Sequence, residues 1–515
     1  MKISRSFLRL VPWALLLGIL GGVVFAAIGP GTAWISGLVG GGLMALSILG
    51  LGLVWRGSPD GRSLAVILMV VFLLRLVVGI ALHLLLPIHG DDEPVQNAGY
   101  IFYDAWQRDQ QSWQLAQSGQ PLFSAFGSEF YSDQYGGLLW LGALIYRVLS
   151  PDAQRPLLMV ILGAFTAAVG VAFLVRAIQP RFGGQLALAA GWIYALYPES
   201  ILLGSSQMRE PFLMGLSAVA WWAVTALPRQ RKRRGMVVTL VATVLGLLVL
   251  SWRAALPILL ALALWFVVDT LLDRLKSSTR WMMGGVLLVS VLVLGLLSWR
   301  WFSEAGGWDL RLMETSSGML TTQLAKLPES LQAVFLIIYG LTQPVLPAAM
   351  FETALPIRTV ISVGRALGWY ALAPLLLAAG VTLWQVPDRT QRRLLMLTAA
   401  FSAAWILVSS FRAGGDLWDN PRYRTIMMIW LAFLAGWAWL WARQKRSPWL
   451  WRILAIEGIF LAFFIHWYLS RYLSVWQKMP LFPMLGAIAL GAVLVVGGGL
   501  IWDHWRSHHP PRKTL

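Results

Sequence analysis

A chain of 515 residues that is 58% hydrophobic and only 12% charged is far more apolar than a water-facing globule. Lys and Arg number 41 against 23 Asp and Glu, a net charge of +18, but the basic residues gather in short stretches beside apolar runs; this argues for anionic lipid and against nucleic acid. Cysteine is absent, so disulfides, thiolate metal sites and thiol chemistry are excluded.

Apolar runs of about 20 residues, enough helix to cross a bilayer, recur along the whole length. In lipid the backbone must close its own hydrogen bonds, so the expected fold class is an all-α polytopic membrane protein. Spans are predicted near residues 11–28, 34–55, 63–88, 156–178, 183–198, 211–227, 236–252, 255–272, 281–301, 361–384, 393–411, 424–442, 449–469 and 481–502. Lys2, Arg5 and Arg9 ahead of the first run look like a signal-peptide start. No small-residue cleavage site stands out, so that run reads as a retained span starting in the cytosol.

The block Arg229, Arg231, Lys232, Arg233 and Arg234 sets the cytosolic side. Counting from it puts 176–181 inside and 197–210 outside. Residues 135–150, although apolar, then lie as a juxtamembrane helix on the outer face, and 89–155 becomes one external segment. Residues 331–350, broken by Pro344 and Pro347, read as an external or re-entrant piece. The count closes at fourteen spans with both termini cytosolic. Residues 1–62 look like two added Gly-rich spans, 63–445 like the body, and 446–515 like a C-terminal hairpin with a basic cytosolic tail.

Polar residues suited to chemistry gather on the predicted outer face, in 89–134, 197–210, at Trp252 and Arg253, and in 412–424. Four sequence-distant patches at one membrane level are able to line a common cavity. Within the first, YIFYDAWQRDQQSWQLAQSGQ (100–120), Tyr103, Trp106 and Trp113 fall near one helical face and Asp104, Arg108, Gln111 and Leu115 on another. The plain account is a helix lying in the headgroup zone, with an Asp104–Arg108 pair worth roughly a few tenths of a kcal/mol.

Asp104-Ala105, Leu115-Ala116 and Gly119 resemble the first external loop of GT-C fold glycosyltransferases of the protein O-mannosyltransferase and lipid A aminoarabinose transferase kind. There an acidic residue follows the first core span, and a helix ending in Leu-Ala-x-x-Gly comes next. This chain departs at Arg108, where the family commonly has tyrosine, and Asp91, Asp92 and Glu93 upstream offer a rival acid. YPESILLGSSQMREPF (197–212) is similar to the second external loop, with Glu210 matching the acid that opens the next span. By itself Glu210 is also a helix-start carboxylate followed by Pro211, which the helix dipole favours. SWRAALP places Arg253 where relatives carry a Lys or Arg that meets lipid phosphate; alone it reads as a snorkelling arginine. GGDLWDNPRYRTI sets Arg422 and Arg424 at an outer boundary, against the topology rule, and a phosphate supplies a reason. The resemblance covers roughly residues 63–445.

It implies a GT-C-like helical bundle that moves a sugar from a polyprenyl-phosphate carrier, with inversion, to a glycan, lipid or protein acceptor on the exoplasmic face of the plasma membrane. Asp104 is the first choice for the general base, with Asp92 and Asp109 in reserve. Asp109 stands five residues on and so is rotated by about 140° from Asp104 on a straight helix. Arg209, Arg253, Arg422 and Arg424 are candidates to stabilise the departing phosphate, and Tyr197 and Trp106 to contact substrate. Glu210 is available to orient an arginine, to hold the acceptor or to bind a divalent metal, magnesium or manganese; the mannosyltransferase-like relatives manage without one. A ligase or polymerase of lipid-linked glycans, a multi-span transporter and a catalytically silent scaffold are the alternatives.

Overall fold

The computed structural model describes residues 10–56, 61–229, 233–271, 327–351, 355–413, 416–474 and 476–508. Among these every regular element is helical and no strand occurs, as lipid demands of a backbone with no water to bind. The chain begins with α1 (Leu10–Ile28), α2 (Ala33–Arg56) and α3 (Gly61–His89). Two short helices follow, α4 (Tyr103–Gln117) and α5 (Gly137–Leu149). Next come α6 (Leu157–Phe182), α7 (Gly184–Leu196), α8 (Pro198–Gly204), α9 (Glu210–Ala226) and α10 (Arg233–Phe266). The later part holds α11 (Glu329–Thr342), α12 (Leu346–Phe351), α13 (Pro356–Thr382), α14 (Arg389–Arg412), α15 (Asp419–Thr425), α16 (Met428–Lys445), α17 (Trp449–Tyr472) and α18 (Leu481–His508).

Nine helices among the described residues are long and apolar enough to cross a membrane, or eleven if each of two bent pairs is one span. Those pairs are α7 with α8, bent by 62°, and α15 with α16, bent by 75°. This is a multi-pass membrane protein. The predicted span at 281–301 lies outside the described residues, as do Arg231 and Lys232.

The 39-residue run Arg233–Leu271 is one continuous helical stretch broken by a single extended residue, Ser251 (φ −169°, ψ 96°). Near its far end the Asp269 carboxylate accepts from Arg181 Nε at 2.6 Å and from Arg229 Nη2 at 3.0 Å. Arg229 stands just before the run begins, so the chain has turned back on itself at Ser251 and its two arms are antiparallel. Gln391 Nε2 also donates to the Arg181 carbonyl, at 2.8 Å. One end of the bundle therefore collects Arg181, Arg229, Asp269 and Gln391, and the break at Ser251 marks the other.

The core forms around α6 and α9. Their backbones touch: a Cβ added at Gly170 would lie 2.8 Å from Gly215 Cα, so only glycine permits this crossing. Below it, Trp221 of α9 meets Trp265 of α10 edge-on at 4.9 Å, and Phe433 of α16 packs against both. By contrast α18 buries little of itself and presents Leu490, Val493, Leu494 and Ile501 outward.

At the Ser251 end, α4 and α5 form a layer of their own. With 13 residues α5 is about 20 Å long, too short for a hydrocarbon core of about 30 Å. Gly136 precedes it with φ +73°, and a Cβ there would meet the Ala125 carbonyl at 2.6 Å, so both backbone and space require glycine.

The aromatic face expected to float in the headgroups is turned inward. Trp113 packs edge-on against Tyr146 of α5 at 5.5 Å, and Trp106 joins the apolar cluster around Phe102, Leu202 and Trp418. Of the three rings only Tyr103 is exposed. The buried side of α4 instead carries Arg108, Asp109, Ser112 and Leu115. The reason is hydrogen bonding: Asp109 accepts from Tyr100 Oη at 2.7 Å, Tyr146 Oη at 2.6 Å and Gln154 Nε2 at 2.6 Å. Three donors make burial of that carboxyl tolerable, and the helix rolls to bring it in.

Candidate functional site

Two helix starts, one short helix and one helix break converge at the Ser251 end. Asp104 lies in the first turn of α4, Glu210 opens α9 with Pro211 behind it, and Arg422 sits in the short α15. Arg422 links the other two. Its Nε donates to Glu210 Oε1 at 2.7 Å and its Nη2 to Asp104 Oδ2 at 2.8 Å, while Nη1 lies 3.4 Å from Asp419 Oδ1. One guanidinium thus bridges carboxylates 106 residues apart in sequence, Glu210 being 2% exposed. A planar fork with donors on three edges holds all three acids in one fixed geometry.

Beside this bridge opens a cavity of about 140 Å³. Arg209, Arg253, Arg412 and Arg422 contribute four cations to its wall, and Glu210 is the one carboxylate among the lining residues. By the usual measure the space holds about ten waters, enough for a hydrated anionic headgroup and far too little for a whole lipid. Ser251 also lines it: the break in α10 brings backbone and Arg253 to the cavity edge, and the Ser251 hydroxyl accepts from Ala254 N at 3.3 Å to cap the returning arm. Arg253 is exposed, rests 5.4 Å over the Trp252 ring and, among the described residues, forms no ion pair.

Behind the cavity, sequence reasoning missed Asp133. It is 4% exposed, and its Oδ2 accepts from Leu138 N at 2.9 Å and Leu139 N at 3.1 Å, tying down the start of α5. Oδ1 faces Arg209 Nη1 at 3.9 Å and Arg108 Nε at 4.0 Å. An acid just ahead of Gly136-Gly137 and an apolar run is a helix-start signal that marks this residue. Arg108, expected in an exposed pair, is instead 3% exposed, 3.5 Å from Asp104 and donating to the Gln207 carbonyl.

These charges set the acids apart. Burial works to raise the Asp104 carboxyl, but the guanidiniums of Arg422, Arg108 and Arg209 outweigh it and hold the group below its usual range. Asp109 goes the other way: burial raises it, against the pull of its three hydrogen-bond donors. Asp104 is therefore ionised at neutral pH.

Other candidates stand elsewhere. Asp92 is exposed and accepts from Asn97 Nδ2 at 3.0 Å, while Asp91 pairs with Arg358 at 2.7 Å. Asp109, enclosed by Tyr100, Tyr146 and Gln154, is a structural carboxyl of the α4–α5 layer. Arg424 is fully buried: its guanidinium lies 3.6 Å over the Trp369 ring and donates to the carbonyls of Gly340 and Gln343. It closes the end of α11 and does not line the cavity. Tyr197 is buried at the α7–α8 bend, near Gly368, and Trp106 is packed in its apolar cluster. A further buried pair, Glu199 with Arg365, is bidentate at 2.5 and 3.0 Å, with Arg365 stacked 4.4 Å over Trp418.

Among the described residues no group of three or more His, Asp or Glu could hold a metal ion. Asp104 and Glu210 each spend one oxygen on Arg422. No family model, no curated protein and no solved structure matches this chain.

Proposed function

We propose that this protein is a membrane glycosyltransferase of the GT-C type, moving a sugar from a polyprenyl-phosphate donor to an acceptor hydroxyl, with inversion, on the exoplasmic face of the cell membrane. The supporting observation is the bridge itself: Asp104 and Glu210, from two distant loops, meet on Arg422 beside a cavity walled by arginines. In the proposed step the acceptor oxygen bonds to the anomeric carbon as the carbon–oxygen bond to phosphate breaks. Asp104, held ionised, takes the hydroxyl proton, and the polyprenyl phosphate leaves as an anion. Arg253 and Arg209, supported by Arg412, stabilise that charge where little water competes. Arg422 keeps the two carboxylates in place; its three donor edges are already filled, so it positions rather than binds phosphate.

The same reading gives fourteen spans. The eleven above are joined by α9, by the second arm of the stretch broken at Ser251 and, from the sequence alone, by the apolar run 281–301 that lies outside the described residues; with that count both termini fall in the cytosol. A transporter is the second reading, because two spans are bent within the bundle. Its support is weaker, since the bends hold the protein's own side chains. Arg75 donates to the carbonyls of Tyr194 and Ala195 at the end of α7, where a transported cation would sit.

The deciding test gives purified protein a labelled polyprenyl-phosphate sugar and follows free polyprenyl phosphate, beside a solute-flux assay in sealed vesicles. Release by the parent that is lost in Asp104→Asn, with Arg253→Ala weakening donor affinity, is expected. Equal turnover in parent and Asp104→Asn, or solute flux without release, sinks the reading.

A further inference from the structure

The rings of Trp106 and Trp113 are packed against the protein, and among the described residues the largest exposed apolar surface of the α4–α5 layer lies elsewhere. The 3-10 turn Leu122–Phe126 presents Phe123 at 76% exposure and Phe126 at 47%, their rings stacked with centroids 6.4 Å apart. Two large stacked rings in water are unfavourable, at about 25 cal/mol per Å² of apolar surface left wet.

Their neighbours tell what covers them. Phe126 packs against Gly136, and the next residue, Gly137, sits so tightly on the Val249 carbonyl that a side chain has no room. Val249 belongs to the last turn of α10 before its break at Ser251, on the face where Leu245 and Val249 are 56% and 43% exposed, and Trp252, just past the break, is 51% exposed. Among the described residues nothing covers that face, and an uncovered apolar face on a helix long enough to span is the one that meets lipid. The phenylalanine pair is therefore continuous, through Gly136 and Gly137, with a lipid-exposed surface at the end of a span.

We infer that Phe123 and Phe126 insert into the bilayer leaflet on the cavity's side and seat the α4–α5 layer there. Aromatic rings at a span end, next to an exposed Trp252, are the usual composition of such a level. The consequence is functional. Gln134, Tyr135 and Ser251 line the cavity, and they adjoin the glycines and the helix end that carry the pair. The anchor thus fixes the cavity mouth at headgroup depth, so that an anionic headgroup reaches Arg253 with its chain still in the leaflet. This inference rests on the membrane fold alone and stands whether or not the sugar chemistry does.

The chain lacks cysteine, so single substitutions report cleanly. Phe123→Cys, Phe126→Cys and Glu129→Cys, each carrying an environment-sensitive fluorophore, are compared in lipid vesicles. The expected result is blue-shifted emission at 123 and 126, quenched by lipid spin-labelled high on its chain, with Glu129→Cys quenched only by aqueous iodide. Quenching by iodide at 123 or 126 to the extent seen at 129 overturns the inference. Because Phe126→Cys touches packed surface, hydroxyl-radical footprinting of the unmodified protein in nanodiscs gives a second readout. Phe123 and Phe126 should resist oxidation while exposed Tyr131 of the same loop is labelled; equal labelling overturns the inference too.

Discussion

At the residue scale, the behaviour of Arg422 follows from its number of partners. It faces one carboxylate that is 2% exposed and another that is 31% exposed at its side chain. Removing it strands Glu210 as a buried charge, which costs about 3–5 kcal/mol. Arg422→Met should lose that much in detergent denaturation, and adding Glu210→Gln should restore part of it. Arg253→Ala, at an exposed position, should stay within about 0.5 kcal/mol of the parent. The Asp104 carboxyl is depressed in the fold, so its contribution is present above the ordinary carboxylate value of 3.8 and fades as pH falls through the lower folded value. The stability difference between parent and Asp104→Asn should thus be constant from pH 5 to 7 and shrink below about pH 4; a difference unchanged at acid pH would show that Arg422 does not hold this carboxylate.

At the element scale, the bends are where lipid makes the strongest demand. A helix that stops inside the bilayer leaves carbonyls without partners. Here buried arginines supply them: Arg75 holds the carbonyls of Val71, Tyr194 and Ala195 and the Ser200 hydroxyl at 2.7 Å, and Arg424 holds those of Gly340 and Gln343. Each unmet buried group costs about 1–3 kcal/mol, so Arg75→Met should destabilise by about 2–4 kcal/mol, measured as loss of folded protein on heating in detergent. A melting curve matching the parent's would mean that water reaches the α7–α8 bend. The sequence displayed Arg75 as a charge inside a span and Arg424 as a charge on the wrong side. It did not display that both serve helix ends, since their partners lie 119 and 81 residues away.

At the scale of the whole molecule, alternation of basic and acidic-aromatic loops has become two ends of a bundle. Arg181, Arg229 and Asp269 mark one end; Asp104, Asp133, Glu210 and Arg253 mark the other. In sealed vesicles Glu129→Cys and Lys445→Cys should react with an impermeant maleimide from opposite sides. Labelling of both from one side breaks this arrangement.

Composition and hydrophobic run length by themselves determined that the chain is helical and crosses a membrane many times, because those properties follow from local transfer free energies that need no partner. Tertiary structure decided which of those residues meet. Asp92, Asp109, Glu210 and Asp133 are all acids in polar stretches between apolar runs, and the sequence does not show what each will meet. One is wet, one is held by tyrosines, one is bridged by Arg422 and one starts a helix between two arginines. Likewise Arg253 and Arg424 are both arginines that the sequence sets at predicted outer span ends, yet one faces a cavity and the other a tryptophan ring. The direction a side chain takes depends on the roll of its helix, and that roll is fixed by packing against segments far away in the chain.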